Sequence, residues 1–178
     1  ATGLSGIVVS DQTGNAIYFE YYAGGNPECP EGTTFIEHLT DGLPDNICIP
    51  TDFSTLNQST LQSAYFFQTV TIDGQTVESD DWVGAFNGDI CVGVQVWDTS
   101  KCNNGVCEVV VMGNDGHDYS NGYCNTGDTV SFKIYDTSEN IYIDAYASED
   151  FTWINSGYNY IDELTNDAPS STIDILYE

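Results

Sequence analysis

The sequence of 178 residues has almost no basic side chains. Lys101 and Lys133 stand alone against 28 Asp and Glu residues, which gives a formal net charge of −26. Nucleic acids and anionic membrane surfaces are bound through clusters of Lys and Arg. We therefore expect this chain to bind neither of them.

Long apolar runs are missing as well. No run reaches the roughly 18 apolar residues that a membrane-spanning helix needs, so we expect no membrane insertion. Helical spacing of apolar residues is hard to find, whereas short alternating runs between turn signals are frequent. The pattern predicts an all-β fold, an antiparallel β-sandwich of Ig-like or jelly-roll-like type. The predicted strands are 4–10, 16–22, 63–72, 82–86, 90–97, 107–112, 129–135, 141–146 and 172–177.

Turn signals and prolines divide the chain into regions. Asn87-Gly88-Asp89 is the clearest two-residue hairpin turn, followed by Asp73-Gly74. Residues 1–23 are predicted to form an N-terminal strand extension, and residues 24–178 the sandwich domain. Within it, residues 24–60 hold four of the five prolines and predict a long irregular connection, with a short helical turn near 35–39.

The six cysteines form no CxxC pair and are not interleaved with His, so we do not expect a zinc site. Cys102 and Cys107 flank an Asn-Gly turn that can bring their side chains together. The favoured disulfides are Cys102–Cys107, Cys29–Cys48 and Cys91–Cys124, with buried free thiols as the alternative. Disulfides and a start at Ala1-Thr2-Gly3 predict an exported protein after removal of a signal peptide, extracellular or at the cell surface.

Five sequence blocks between residues 65 and 136 occur in a characteristic order. They are YFF (65–67), IDG (72–74), DWVGAFNGDICVG (81–93), VMGNDG (111–116) and VSFKIYD (130–136). Together they resemble a β-sandwich domain of large secreted bacterial surface proteins, many of them exported by the type IX pathway. The resemblance implies a surface module, and because no catalytic function is generally attached to that family it transfers no active site. An N-terminal strand pair is added here.

That N-terminal strand is apolar and β-forming, with Leu4, Ile7, Val8 and Val9 as its apolar residues. Such a strand docks either within its own sandwich or in the groove of a neighbouring subunit. Head-to-tail donation of this kind polymerises without a further interface. We therefore expect a structural subunit of a surface filament, a homopolymer with itself as partner.

Acidic turns are candidate Ca²⁺ sites, because this ion takes roughly six to eight oxygen ligands. One candidate group combines Glu78, Asp80 and Asp81 with Asn87 and Asp89. The other is the loop of Asn114, Asp115, His117 and Asp118. Neither has EF-hand spacing. The alternative is that these side chains bond their own backbone and that the acidity is a solubilising coat.

Three aromatic residues indicate an alternative function. Trp153, Tyr158 and Tyr160 lie among Asn, Ser and Gly, and predict either a sugar-stacking face or a subunit contact. A Ca²⁺-dependent carbohydrate-binding or adhesion module is therefore the alternative function, with polysaccharide as partner.

Catalysis is not expected. Neither His lies near a Gly-x-Ser-x-Gly elbow, and a glycosidase using two of the many carboxylates is the second alternative. The sequon at Asn57-Gln58-Ser59 is a candidate glycosylation site.

Overall fold

The computed structural model describes residues 7–10, 16–19, 29–36, 47–102 and 104–168. These residues form twelve strands and three short 3-10 helices, and the all-β prediction is confirmed. No helix among them is long and apolar enough to cross a membrane. The strands are β1 (Ile7–Ser10), β2 (Ala16–Phe19), β3 (Thr33–Ile36), β4 (Ile47–Pro50), β5 (Gln62–Ile72), β6 (Gln75–Thr76), β7 (Trp82–Asn87), β8 (Ile90–Val96), β9 (Cys107–Met112), β10 (Ser131–Asp136), β11 (Ile141–Ala147) and β12 (Tyr158–Thr165), and the 3-10 helices are Thr51–Phe53, Thr99–Lys101 and Asp118–Ser120.

Eight strands form one sheet in the order β6-β5-β12-β11-β10-β7-β8, with β9 also paired to β5. Strand β11 pairs with β10 through residues 141–145 and with β12 through residues 146–147, so the sheet curls at this strand. We call β6, β9, β5 and β12 the β5 layer, and β11, β10, β7 and β8 the β7 layer. The β5–β12 pair is parallel, so the sheet is mixed rather than wholly antiparallel.

The two layers enclose the core. Phe132 of β10 lies with its ring centroid 5.7 Å from that of Tyr65 and 5.1 Å from that of Phe67, both on β5. All three side chains are buried. Because strand side chains alternate between faces, Phe66 must then point away from the core.

The outer face of the β7 layer is covered by residues 29–36 and 47–56, which we call the cover segment. Strands β3 and β4 of this segment pair as a hairpin, and Phe53 packs at 5.9 Å from Phe86 and 5.4 Å from Tyr142, centroid to centroid. This cover explains why β7 is buried on both faces from Trp82 to Phe86. The predicted irregular connection therefore contains two paired strands, and Phe35 and Ile36 lie in one of them rather than in the predicted helical turn.

Two hairpin predictions are confirmed. Asn87 pairs with Ile90, leaving Gly88 and Asp89 as the loop, and Ile72 pairs with Gln75 around Asp73-Gly74. Asp73 and Gly74 both have positive φ, as a type I′ turn requires. The predicted strand at 172–177 lies outside the described residues.

Strands β1 and β2 form a separate two-stranded sheet with antiparallel register from Ile7↔Phe19 to Ser10↔Ala16. Among the described strands, β1 pairs with β2 alone. The predicted strand pair of the N-terminal extension is therefore present over these residues, and Leu4 lies outside the described part of the chain.

Candidate functional site

The outer face of the β5 layer carries a cluster of exposed aromatic rings. Tyr158 is 72% exposed and Tyr160 67% exposed, both on β12. Phe66 of β5 lies opposite Tyr160 in the parallel register. The Phe66 ring is nearly parallel to both tyrosines, with centroid distances of 4.8 Å to Tyr160 and 6.4 Å to Tyr158 and interplanar angles of 13° and 11°. We call these three residues the aromatic face.

A depression of about 420 Å³ lies beside the aromatic face. Its aromatic wall is formed by Phe66 and Tyr160. Its polar lining consists of Gln68, Asn104, Glu108 and Asp162. Glu108 lies on β9 directly opposite Phe66, so one row across the sheet reads carboxylate, ring, ring. This surface therefore combines stacked aromatic rings with hydrogen-bond acceptors.

The sequence did not single out Phe66, Gln68, Glu108 or Asp162 for this site. The signal for Phe66 was the period of two along β5, since two buried neighbours, Tyr65 and Phe67, place it on the opposite face. Glu108 and Asp162 are brought alongside by pairing between strands distant in sequence.

Trp153 does not belong to this face. It is 1% exposed, and its indole N–H donates to the carbonyl oxygen of Val111 at 3.1 Å. The ring lies against the backbone of Gly113, where a Cβ would overlap it. The prediction of Trp153 as a glycan-stacking residue was wrong, because a large ring over a glycine fills a core position.

The first candidate metal group is divided between two ends of a strand. Glu78, Asp80 and Asp81 precede β7, whereas Asn87 and Asp89 lie at its far end. Six strand residues span about 20 Å, so the prediction that a hairpin gathers these side chains was wrong.

The Asp81 carboxylate has a structural role instead. It is 3% exposed and accepts hydrogen bonds from the backbone N–H groups of Glu78 at 2.7 Å and Thr137 at 2.9 Å. Burial raises the pKa of the Asp81 carboxyl; the two N–H bonds oppose the rise, and the nearby carboxylates of Asp136 and Asp80 add to it. The side chain therefore joins the start of β7 to the turn after β10.

The second candidate group is an ordered loop in which the Asp115 carboxylate accepts five hydrogen bonds. The donors are the N–H and hydroxyl of Thr60, the hydroxyls of Tyr119 and Ser120, and the N–H of His117. Desolvation favours a higher pKa for Asp115, but hydrogen bonds from Tyr119, Ser120, Thr60 and His117 outweigh it and hold the pKa well below its usual range.

The Asp115 bonds use the lone pairs that a metal would need. Asn114 likewise accepts from the N–H of Gly116 at 3.0 Å, as in a backbone-capping turn. Among the described residues there is no group of three or more His, Cys, Asp or Glu side chains that could hold a metal ion. Calcium binding stays a prediction.

The cysteines divide into two bonded pairs and two thiols. Disulfides Cys29–Cys48 and Cys102–Cys107 are formed as predicted. Cys91 and Cys124 are buried and free, so the third predicted disulfide was wrong. The Cys91 thiol contacts the carbonyl oxygen of Gly93 on its own strand at 3.5 Å rather than a second sulfur. Burial raises the pKa of each thiol to about 12.

Both lysines are paired with carboxylates. Lys101 lies 3.0 Å from Asp98, and Lys133 lies 3.3 Å from Asp144. Neither lysine lines the depression beside the aromatic face. The local charge at that depression is therefore negative.

Asn57 of the sequon is exposed, and its side-chain amide donates to the carbonyl oxygen of Thr55 at 3.2 Å. Glycosylation at Asn57 stays a prediction. The glycosidase alternative needs two carboxyl groups about 5 to 9.5 Å apart in a cleft, and Glu108 and Asp162 are the carboxylates that line the depression. That alternative also stays a prediction.

No family model, curated protein or solved structure is significantly similar to this chain. The resemblance to a domain of secreted bacterial surface proteins therefore remains a prediction from the sequence blocks.

Proposed function

We propose that this protein is a structural subunit of an extracellular filament, in which the N-terminal strand of one subunit pairs with a sheet edge of the next. The observation that carries the proposal is the pairing of β1. Among the described strands it bonds only to β2, in a two-stranded sheet of its own. An isolated two-stranded hairpin is marginally stable in water, so a further partner strand would stabilise it.

The charge of the chain supports joining by strands. Its only two lysines already pair with Asp98 and Asp144 in the same chain, whereas the net charge is −26. Ion pairs between identical subunits would thus have few cations to draw on, and like charges repel. Backbone hydrogen bonds and apolar side chains need no cationic side chain to join two subunits.

The hairpin of the cover segment offers an acceptor edge. Strands β3 and β4 pair with each other and with no other described strand. The outer side of β9, in contrast, lies against β8, where a Cβ at Gly93 would be 2.5 Å from the carbonyl oxygen of Val110. An open edge presents unpaired N–H and C=O groups that accept an added strand. The two disulfides suit an extracellular location, where such bonds persist.

The test is deletion of residues 1–10, followed by sedimentation velocity and negative-stain electron microscopy. We expect the full chain to form filaments and the shortened chain to be a folded monomer. Val8→Asp, which places a charge in β1, is expected to have the same effect, whereas the matched control Gln12→Asp is expected to polymerise. Filaments from the shortened chain would overturn the proposal.

A further inference from the structure

The two outer faces of the folded sheet differ in what lies on them. The β7 layer is covered by the cover segment, with Phe53 packed on Phe86 and Tyr142. The β5 layer instead leaves Tyr158 and Tyr160 more than two-thirds exposed. Large aromatic rings left in water on a sheet face are characteristic of a binding surface.

The arrangement of the rings selects among ligands. Phe66 lies within 13° of parallel to both tyrosines. Centroids 4.8 Å apart are too close for two rings to lie side by side in one plane, so Phe66 and Tyr160 are stacked, and a ligand can contact the exposed parts of the tyrosine rings. A stack of this kind does not surround one point, as the rings that recognise a quaternary ammonium group do.

The polar groups beside the rings complete this selection. Glu108 and Asp162 offer carboxylate oxygens, and Gln68 and Asn104 offer amides. These groups hydrogen-bond well to sugar hydroxyls. The same carboxylates repel anionic polysaccharides.

We propose that the aromatic face and the adjoining depression bind a neutral polysaccharide, with Tyr158 and Tyr160 against the sugar rings, Phe66 in the wall of the depression, and Glu108 and Asp162 accepting hydrogen bonds from hydroxyl groups. This activity goes beyond filament assembly and does not depend on it. The proposed site lies on the outer face of the β5 layer, on the opposite side of the sandwich from the cover segment.

The experiment is isothermal titration calorimetry of the full chain with soluble β-glucan, xylan and galactomannan, and with alginate and chitosan as anionic and cationic probes. We expect binding to at least one neutral polymer. Tyr160→Ala is expected to weaken that binding about tenfold or more, as for a central contact residue. Tyr146→Ala, which removes an exposed tyrosine of β11 outside the aromatic face, is the matched control and is expected to bind normally.

A second variant covers the possibility that Tyr160→Ala disturbs the fold. Tyr158→Ala removes the most exposed ring, and an unchanged melting temperature with weakened binding supports the proposal. Glu108→Gln is expected to keep most of the affinity, since the amide oxygen still accepts a hydrogen bond.

Three results would overturn the proposal: binding to chitosan alone, binding to no polymer, or equal affinity in Tyr160→Ala and Tyr146→Ala. Loss of self-association in Tyr160→Ala without any polymer binding would assign the face to contacts between subunits instead. Filament formation, measured separately, is expected to be the same in all these variants.

Discussion

The ring of Phe53 lies directly on the backbone of Gly84. A Cβ at Gly84 would lie 2.5 Å from Cε1 of Phe53, closer than side-chain atoms approach each other. The glycine therefore allows the cover segment to pack flat on the β7 layer.

The contact between Phe53 and Gly84 predicts the effect of adding one methyl group. Gly84→Ala is expected to lower the free energy of unfolding by about 1–3 kcal/mol, because the ring must move. In a Phe53→Ala background the same change is expected to cost much less, since the clash is removed. Urea unfolding of the four proteins in this double-mutant cycle measures the coupling. Additive costs would contradict the packing described here.

Two buried tyrosines are expected to respond oppositely to loss of their hydroxyl groups. The Tyr65 hydroxyl is buried without a hydrogen-bond partner among the described residues, and burial raises the pKa of Tyr65. Tyr65→Phe should thus be neutral or stabilising. The Tyr135 hydroxyl donates a hydrogen bond to the side chain of Asn140 at 2.6 Å. Tyr135→Phe is therefore expected to lower the free energy of unfolding by about 0.5–1.5 kcal/mol. Denaturation curves of both variants measure the two changes in stability. A clear loss of stability in Tyr65→Phe would mean that the Tyr65 hydroxyl has a hydrogen-bond partner, and would contradict this prediction.

The Asp115 loop predicts a pH effect with a definite sign. Because the folded-state pKa of Asp115 lies below its usual value, its stabilisation is fully present above the unfolded-state pKa of about 3.9. It is lost as the pH falls from there through the folded-state pKa. Asp115→Asn should remove this dependence.

The measurement is the free energy of unfolding between about pH 5 and pH 2. Protonation of the other carboxylates relieves repulsion and acts in the opposite direction, so the quantity compared is the difference from wild type. That difference should shrink on acidification for Asp115→Asn. Asp118 is an exposed neighbour that accepts none of these bonds. For Asp118→Asn, the difference from wild type should therefore stay small over the whole pH range. A pH-independent difference for Asp115→Asn would contradict the assignment.

The thiols can be counted directly. With the pKa of Cys91 and Cys124 raised to about 12 by burial, the native protein is expected to react very slowly with a disulfide reagent at neutral pH. When the protein is unfolded in guanidinium without reductant, two thiols per chain should react, corresponding to the two free cysteines. No reactive thiol after unfolding would mean that these residues are disulfide-bonded.

Most strands of the large sheet could be predicted from local sequence patterns. Strands β5 to β11, apart from the two-residue β6, were predicted to within two residues at each end, because alternation and two-residue turns are local signals. Strand β12 was missed. Its inward-facing Asn159 interrupts the apolar alternation, and its two tyrosines face water. The Asn159 amide is satisfied by the Ser63 hydroxyl at 3.1 Å, a partner 96 residues away that no local pattern reveals.

The candidate sites show the same division. The exposed tyrosines were recognised from their polar neighbours, but Trp153 shares those neighbours and is core, because Gly113 leaves room for its ring. The acidic residues around β7 appeared close in sequence and are separated by the length of the strand. The distance between two side chains depends on the direction of the strand that separates them. This direction cannot be read from the composition.

The most direct test of filament assembly is an electron micrograph of the full chain in EDTA and about 1 M NaCl, where the Debye length falls to about 3 Å. If β1 joins the subunits through backbone pairing, filaments will persist under these conditions and will be missing from the chain without residues 1–10. Filaments that dissolve on chelation, or their absence from the full chain in every buffer, would contradict assembly by strand donation.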